Sequence, residues 1–301
     1  MRLLTEEDVS KLLSPEQLLP AVEAALVAFS RGEIQQPVRS ILRVPQHHGG
    51  WGLMPAVWGD LMGIKLVTLF EGNAAHGLPT HQATIQLFSA ITGEPLVVMD
   101  GRLITELRTA AVTAVAVRLL TSPDVRSLAI LGSGVQARSH LQALRLIRNF
   151  TDIRVWSRTP ANAARFANES GGRSLPLEET IRGADVVIAV ANTETPLVHG
   201  AWLKPNAFVA AVGTVGLHRR ELDDATMQSS SIIVESLDSA LKESGDIVNS
   251  SAPIYAELGE LLAGIRPLPS RDGRIVFKSL GIAATDLAAA RLVLESLTGK
   301  S

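Results

Sequence analysis

One segment limits this chain more than any other: SLAILGSGVQARSHLQAL, residues 127–144. An apolar β-type run ends at Leu131. Gly132, Gly134 and Ala137 then fit G-x-G-x-x-A, with Val135 and Gln136 inside the loop, and apolar residues recur at helical spacing afterwards. The first glycine permits a tight turn, and the second lets the backbone approach a pyrophosphate. The third small residue allows close helix–strand packing, and the helix N-terminus offers N–H donors to the anion. The bare motif is weak, but strand, glycine loop and helix in that order predict a dinucleotide site.

The surrounding sequence supplies the rest of the unit. From Ser127 onward the β-prone runs SLAILG, IRVWS, DVVIAVA, AFVAAVG and IIVES are mostly separated by helical stretches, and RIVFKS is the last strand. This alternation predicts an α/β domain with a Rossmann-type, doubly wound parallel sheet. The second strand ends at Ser157-Arg158-Thr159. NAD sites usually place a carboxylate there for the ribose hydroxyls. An arginine between two hydroxyls instead suits a 2′-phosphate through charge-assisted hydrogen bonds. NADPH is therefore the expected cofactor, with NADH the alternative.

Before residue 119 the pattern differs. The first thirty residues read as helix, with Thr5 and Ser14 as N-caps, Ser14-Pro15-Glu16-Gln17 as a capping box with proline at N1, and Gly32 as the stop. Residues 37–100 hold short β-prone runs divided by turn residues, which predicts a mostly antiparallel meander. Thr105 is expected to open a second, Ala- and Val-rich helix. A final helix, TDLAAARLVLESL, closes the chain.

Composition excludes several function classes. The chain has 301 residues, enough for two domains. Its 28 basic and 30 acidic residues lack the basic excess of a nucleic-acid binder. It contains no cysteine, which excludes disulfides, thiolate catalysis and Cys-ligated metal. The seven histidines show no metal-binding spacing, so no metal is expected. The N-terminus turns acidic before an apolar run forms, and no apolar run approaches the ~20 residues of a membrane span. A cytoplasmic protein with no membrane partner is the expectation.

Three cations stand out in the first half: Arg43, Lys65 and Arg108. Lys65 sits inside the apolar run GIKLVTLF, where an ammonium is costly unless it meets an anion. Arg108 is placed in the first turn after Thr105, where the helix dipole disfavours a cation unless an anionic ligand is present. One substrate carboxylate could satisfy all three.

The segments GLMPA, IKLVTLFEGN, LPTHQATIQLF, ITGEPLVVMDG, ITELRTAAVTA, LGSGVQARSH, RVWSRT, RRELDD, SALKESGD, AELGELLAG and VFKSLG, in this order across residues 37–290, resemble the ornithine cyclodeaminase/μ-crystallin family. The resemblance implies a homodimer whose first domain forms strands across the two-fold, a Rossmann domain, and a cleft between them. The expected domains are 1–118 with 282–301 for substrate binding and dimerisation, an α+β unit, and 119–281 for the dinucleotide. Position by position, Arg43, Lys65 and Arg108 match the family's carboxylate ligands, with Lys65 and Arg108 as the catalytic pair, and Thr80 lines the same pocket. Thr109, Gly132, Gly134, Val135, Gln136 and Gly213 match cofactor contacts. Ser157, Arg158 and Thr159 match the 2′-phosphate cluster, and Ser279, Leu280 and Gly281 the segment near the nicotinamide.

One position departs from the cyclodeaminase branch. Two residues after Gly213 that branch carries an Asp, and here the residue is Val215. Valine cannot exchange a proton, which removes a general acid/base; neighbouring Thr214 and His218 are substitutes without a spacing argument. The expected activity is therefore reduction of a small cyclic imino acid: Δ1-pyrroline-2-carboxylate to L-proline or Δ1-piperideine-2-carboxylate to L-pipecolate. The alternatives are an open-chain amino-acid dehydrogenase of the alanine or opine type, an ornithine cyclodeaminase, and a ligand-binding protein without turnover.

Overall fold

Strands whose side chains alternate between more and less buried occupy much of residues 34–100, whereas strands buried along their whole length begin at Ser127. In the computed structural model, which describes residues 2–299, the two patterns become two compact units. One ends at Arg108 and takes up the chain again at Ile282; the other is Thr109–Gly281. The boundary expected at 118/119 thus falls ten residues earlier, inside a helix, because residues from Thr109 onward pack with the second unit.

The first unit opens with β1 (Arg2–Leu4), α1 (Glu6–Leu12) and α2 (Pro15–Ser30). Thr5 caps α1 in a capping box with Asp8. Ser14 precedes α2 with Pro15 at N1, but its hydroxyl donates to Glu16 at 2.6 Å, so the expected box does not form there. The strands β2 (Ile34–Gln35), β3 (Ser40–Val44), β4 (Gly49–Trp58), β5 (Leu61–Phe70), β6 (His81–Ser89) and β7 (Pro95–Asp100) follow. They form one sheet in the order β1-β7-β6-β5-β4-β2, with β3 also on β4. The meander is antiparallel as expected, and β1 adds a parallel edge on β7. The C-terminal helix packs on β4, β5 and α2. Gly63 permits this approach, since a Cβ there would lie 2.7 Å from Leu87 and 3.1 Å from Leu287.

The helix α3 (Arg102–Leu120) starts three residues before Thr105. Asp100 caps it, accepting the N–H groups of Arg102 and Leu103 at 2.9 and 3.3 Å, while the Thr105 hydroxyl donates to the Gly101 carbonyl. An anionic cap matches the helix dipole better than a threonine does. Arg108 therefore lies in the second turn, and the expected conflict with the helix N-terminus does not arise.

The second unit contains β8 (Ser127–Leu131), α4 (Val135–Arg145), β9 (Asp152–Trp156), α5 (Pro160–Ser170), β10 (Arg173–Ser174), α6 (Leu177–Ile181), β11 (Val186–Ala189), β12 (Phe208–Ala211), α7 (Asp224–Gln228), β13 (Ser230–Val234), α8 (Leu237–Glu243), α9 (Gly245–Ser250), β14 (Ile254–Glu257), α10 (Leu258–Leu262) and β15 (Arg274–Lys278). All eight strands are parallel, in the order β10-β9-β8-β11-β12-β15-β13-β14. This is the doubly wound sheet of the sequence reading. β8, β11 and β12 are buried on both faces, as a covered parallel sheet requires. The strand order reverses between β8 and β11, the switch point at which such sheets bind dinucleotides. The C-terminal helix, α11 (Ala283–Thr298), belongs to the first unit.

Candidate functional site

Lys65 lies in the middle of β5, opposite Met54 of β4 and Ile85 of β6, on the face that receives α11. It is 3% exposed, Arg108 4% and Asp286 of α11 2%. The Lys65 ammonium stands 2.6 Å from Asp286 Oδ2, and Arg108 Nε donates to Asp286 Oδ1 at 2.9 Å. The anion demanded by a lysine in an apolar run is thus first of all a carboxylate of the chain itself. One carboxylate against two cations leaves a buried excess of positive charge when Lys65 is protonated. Arg108 Nη1 is buried with no hydrogen-bond partner. An unmatched buried guanidinium N–H loses hydration without return, at a cost of about 1–3 kcal/mol or more, and an entering carboxylate is the ligand that would match it.

The titration behaviour reports the same field. Burial pulls the Lys65 ammonium down, Asp286 opposes this, and Arg108 and Arg39 add to it, leaving Lys65 at about 7. Burial raises the Asp286 carboxyl, but Arg108 and Lys65 outweigh it and hold it below the usual carboxylate value. His81, at the start of β6, is lowered to about 4 by burial and by the charges of Lys65 and Arg108. It is neutral at pH 7.

Lys65 and Arg108, but not Arg43, meet at Asp286. Arg43 is exposed on β3, whereas Arg39, just before that strand and half-buried, is the arginine whose charge acts on Lys65. Thr80 is exposed; its carbonyl accepts the Phe70 N–H at 2.9 Å and so closes the β5–β6 connection.

In the second unit the glycine loop leaves β8 and enters α4. Gly132 has φ +137°, and a Cβ there would meet Val190 Cγ2 at 3.0 Å. Gly134 is the N-cap of α4 with no side-chain cap, and a Cβ there would meet nothing within 4 Å. The first glycine thus serves the turn, and the second keeps space open over uncapped N–H groups. Ala137 is fully buried, as close helix–strand packing requires. These features fit a dinucleotide pyrophosphate. Val135 is exposed, and Gln136 Oε1 is buried without a hydrogen-bond partner. Ser133 donates to Ser157 at 2.9 Å, which ties the loop to the end of β9. Arg158 and Thr159 are exposed after it, and Thr159 is the N-cap of α5. Thr109 is buried in α3.

Gly213 follows β12, and its N–H donates to both carboxylate oxygens of Glu221 at 3.0 and 3.1 Å. Thr214 is buried with its hydroxyl donating to Glu221, while Val215 and His218 are exposed on the loop beyond. Ser279 Oγ, Leu280 N and Gly281 N all donate to Glu235 Oε2, at 3.0, 2.8 and 2.7 Å.

The sequence profile of the ornithine cyclodeaminase/mu-crystallin family matches residues 1–301. The chain belongs to this family. The mouse ketimine reductase mu-crystallin is 43% identical over 98% of this chain and 96% of its own length. The Δ(1)-pyrroline-2-carboxylate reductase of Thermococcus litoralis, solved with NADH and L-proline, superposes with a TM-score of 0.94 at 32% identity over 99% of this chain and 98% of that one. An archaeal alanine dehydrogenase dimer with bound NAD also gives a TM-score of 0.94, at 29% identity over 99% of this chain and 96% of that one. As a member of the family, the chain has the Rossmann-type fold that its motifs imply, and these relatives are reductases and a dehydrogenase.

Asp286, Arg39, His81 and Glu235 are absent from the sequence-derived site. An acid within the small apolar run AATDLAAA was the available signal for Asp286, because an ionised side chain in a buried helix needs a partner. Arg39 and His81 carry no such mark.

Proposed function

We propose that the protein is an NADPH-dependent reductase of small cyclic imino acids, converting Δ1-pyrroline-2-carboxylate to L-proline and Δ1-piperideine-2-carboxylate to L-pipecolate. The observation that carries this reading is the unmatched Nη1 of Arg108 beside Lys65, in a site whose internal carboxylate balances only one of the two charges. An α-imino acid brings the missing carboxylate. Lys65 and Arg108 bind it, with Arg39 adding positive potential and Arg43 and Thr80 at the rim, while Asp286 holds both cations in place. Met54, fully packed opposite Lys65, excludes water from the apolar side.

The reduced nicotinamide supplies the hydride. Gly132, Gly134, Val135, Gln136 and Thr109 hold the dinucleotide, Ser157, Arg158 and Thr159 its 2′-phosphate, and Gly213 with Ser279–Gly281 its nicotinamide end. A protonated cyclic imine is already electrophilic, so orientation supplies much of the rate. Val215 supports this reading over deamination because it offers no proton. Lys65, which titrates at about 7 in the empty site, takes up a proton as the carboxylate enters and so is cationic in the complex. The reading includes a homodimer: Leu42 and Trp51, cross-strand neighbours on β3 and β4, are exposed apolar side chains, and the archaeal relative is a dimer.

The test compares substrates at saturating NADPH. Both cyclic imino acids are expected to be reduced with kcat/KM at least about a hundredfold above that for pyruvate with ammonia, a gap of ~3 kcal/mol. A preference for pyruvate with ammonia would make the protein an open-chain amino-acid dehydrogenase.

A further inference from the structure

Beneath the Val215 loop the second unit buries three charged side chains that the reduction does not use. Lys278, the last residue of β15, places its ammonium 3.0 Å from Glu221 Oε2 and 3.0 Å from Asp246 Oδ2. It also donates to the Thr214 carbonyl at 3.1 Å. None of the three side chains is more than 1% exposed.

The two carboxylates grip opposite ends of one loop. Glu221 accepts the N–H groups of Gly213 and Thr214, and Asp246 Oδ1 accepts those of Glu221 and Leu222 at 2.8 and 2.9 Å. The loop Gly213–Leu222 is therefore pinned at both ends by the ligands of a single ammonium, with Val215, Leu217 and His218 exposed between them. The same lysine leads directly into Ser279–Gly281, which Glu235 fixes through three hydrogen bonds. Well-packed apolar residues could anchor a loop without desolvating three charges. What the charged cluster adds is directional bonds from one strand end to two separate segments.

We propose that Lys278, Glu221 and Asp246 are positioning residues that hold the Gly213–Leu222 loop and the Ser279–Gly281 segment in register around the nicotinamide end of the cofactor. This rests on the reading above that those two segments meet the nicotinamide. The charged groups facing Glu221 are Lys278 from β15 and Asp246 from α9, with the Thr214 hydroxyl beside them. Burial pushes the Glu221 carboxyl up, Lys278 pulls it back, and Asp246 pushes it up again, leaving it at about 7. Below that pH the cluster is a neutral set with Glu221 protonated; above it the cluster carries a buried negative charge. The folded state holds this proton more tightly than the unfolded chain does. The stability it contributes is full below the ordinary glutamate pKa and is lost as pH rises through about 7.

The experiment measures binding of NADPH and of 2′-phospho-ADP-ribose, which lacks nicotinamide, to the wild type, Lys278→Met and Glu221→Gln. Each variant is expected to bind NADPH about tenfold more weakly and the truncated nucleotide as the wild type does. Because His81 and Lys65 titrate alike in both proteins, the melting temperature of ligand-free Glu221→Gln relative to the wild type should rise between about pH 5.5 and 8 as the wild type loses the Glu221 contribution. Equal loss of both ligands, or no loss of either in folded Glu221→Gln, overturns the proposal even if Lys278→Met fails to fold. A wild type that binds NADPH but reduces no imine overturns the functional reading instead and leaves this comparison intact.

Discussion

Lys65, Arg108 and Asp286 form a unit in which one carboxylate orients two cations, and in the proposed function the surplus charge selects the ligand. Replacing Lys65 by methionine keeps the side chain's bulk opposite Met54 and Ile85 and leaves Asp286 paired with Arg108, so the fold should be retained while the surplus cation is lost. KM for the imino acid is expected to rise by roughly two orders of magnitude, with a smaller change in kcat; unchanged steady-state constants would remove Lys65 from the site. The pH dependence follows from the direction of the Lys65 shift. The empty site holds the ammonium at about 7, and a bound carboxylate favours the charged form. Binding therefore takes up a proton, and imino-acid affinity should be full below pH 7 and decline as pH rises above it. Calorimetry in buffers of different ionisation enthalpy checks the proton uptake. Lys65 was legible in the sequence because an ammonium in GIKLVTLF has to be explained. Its partner Asp286 was not, because the pairing joins a strand to a helix at the far end of the chain. Arg39 and Arg43 occupy similar sequence surroundings, and only the burial of the former distinguishes them.

The glycine loop separates folding from binding at the level of the element. Gly132→Ala puts a side chain at φ +137° and 3.0 Å from Val190; it should lower the melting temperature of the ligand-free protein by several degrees, the shift expected for a loss of about 1–3 kcal/mol. Gly134→Ala meets no atom within 4 Å and should leave that temperature unchanged while weakening the dinucleotide by about tenfold or more. Thermal melting with and without NADPH distinguishes the two. After β9, Arg158→Ala should reduce the preference for NADPH over NADH by roughly tenfold to a hundredfold, the value of one charge-assisted hydrogen-bonded contact; equal kcat/KM losses with both cofactors would place Arg158 outside the phosphate site. The βα order, the loop and the antiparallel meander were legible because each rests on local periodicity. The start of α3 was not. Asp100 and Thr105 are both competent caps, and the choice was settled by where β7 ends, a property of the sheet rather than of the helix.

At the scale of the whole molecule, the division of labour follows from chain order. The last helix returns to the first unit and delivers Asp286, while the parallel sheet between Thr109 and Gly281 stands as a complete nucleotide fold. The proposed homodimer predicts a solution mass of twice the 32.1 kDa chain, and Leu42→Asp with Trp51→Asp should shift sedimentation toward the monomer. The measurement that bears most directly on the central claim follows NADPH consumption by the purified protein with Δ1-pyrroline-2-carboxylate and, in parallel, ammonia release from L-ornithine. Rapid NADPH oxidation with L-proline as product and no ammonia is the predicted result. Ammonia from ornithine, with NADPH untouched by the imine, would contradict it and would mean that a group other than the residue at 215 performs the acid/base chemistry of a cyclodeaminase.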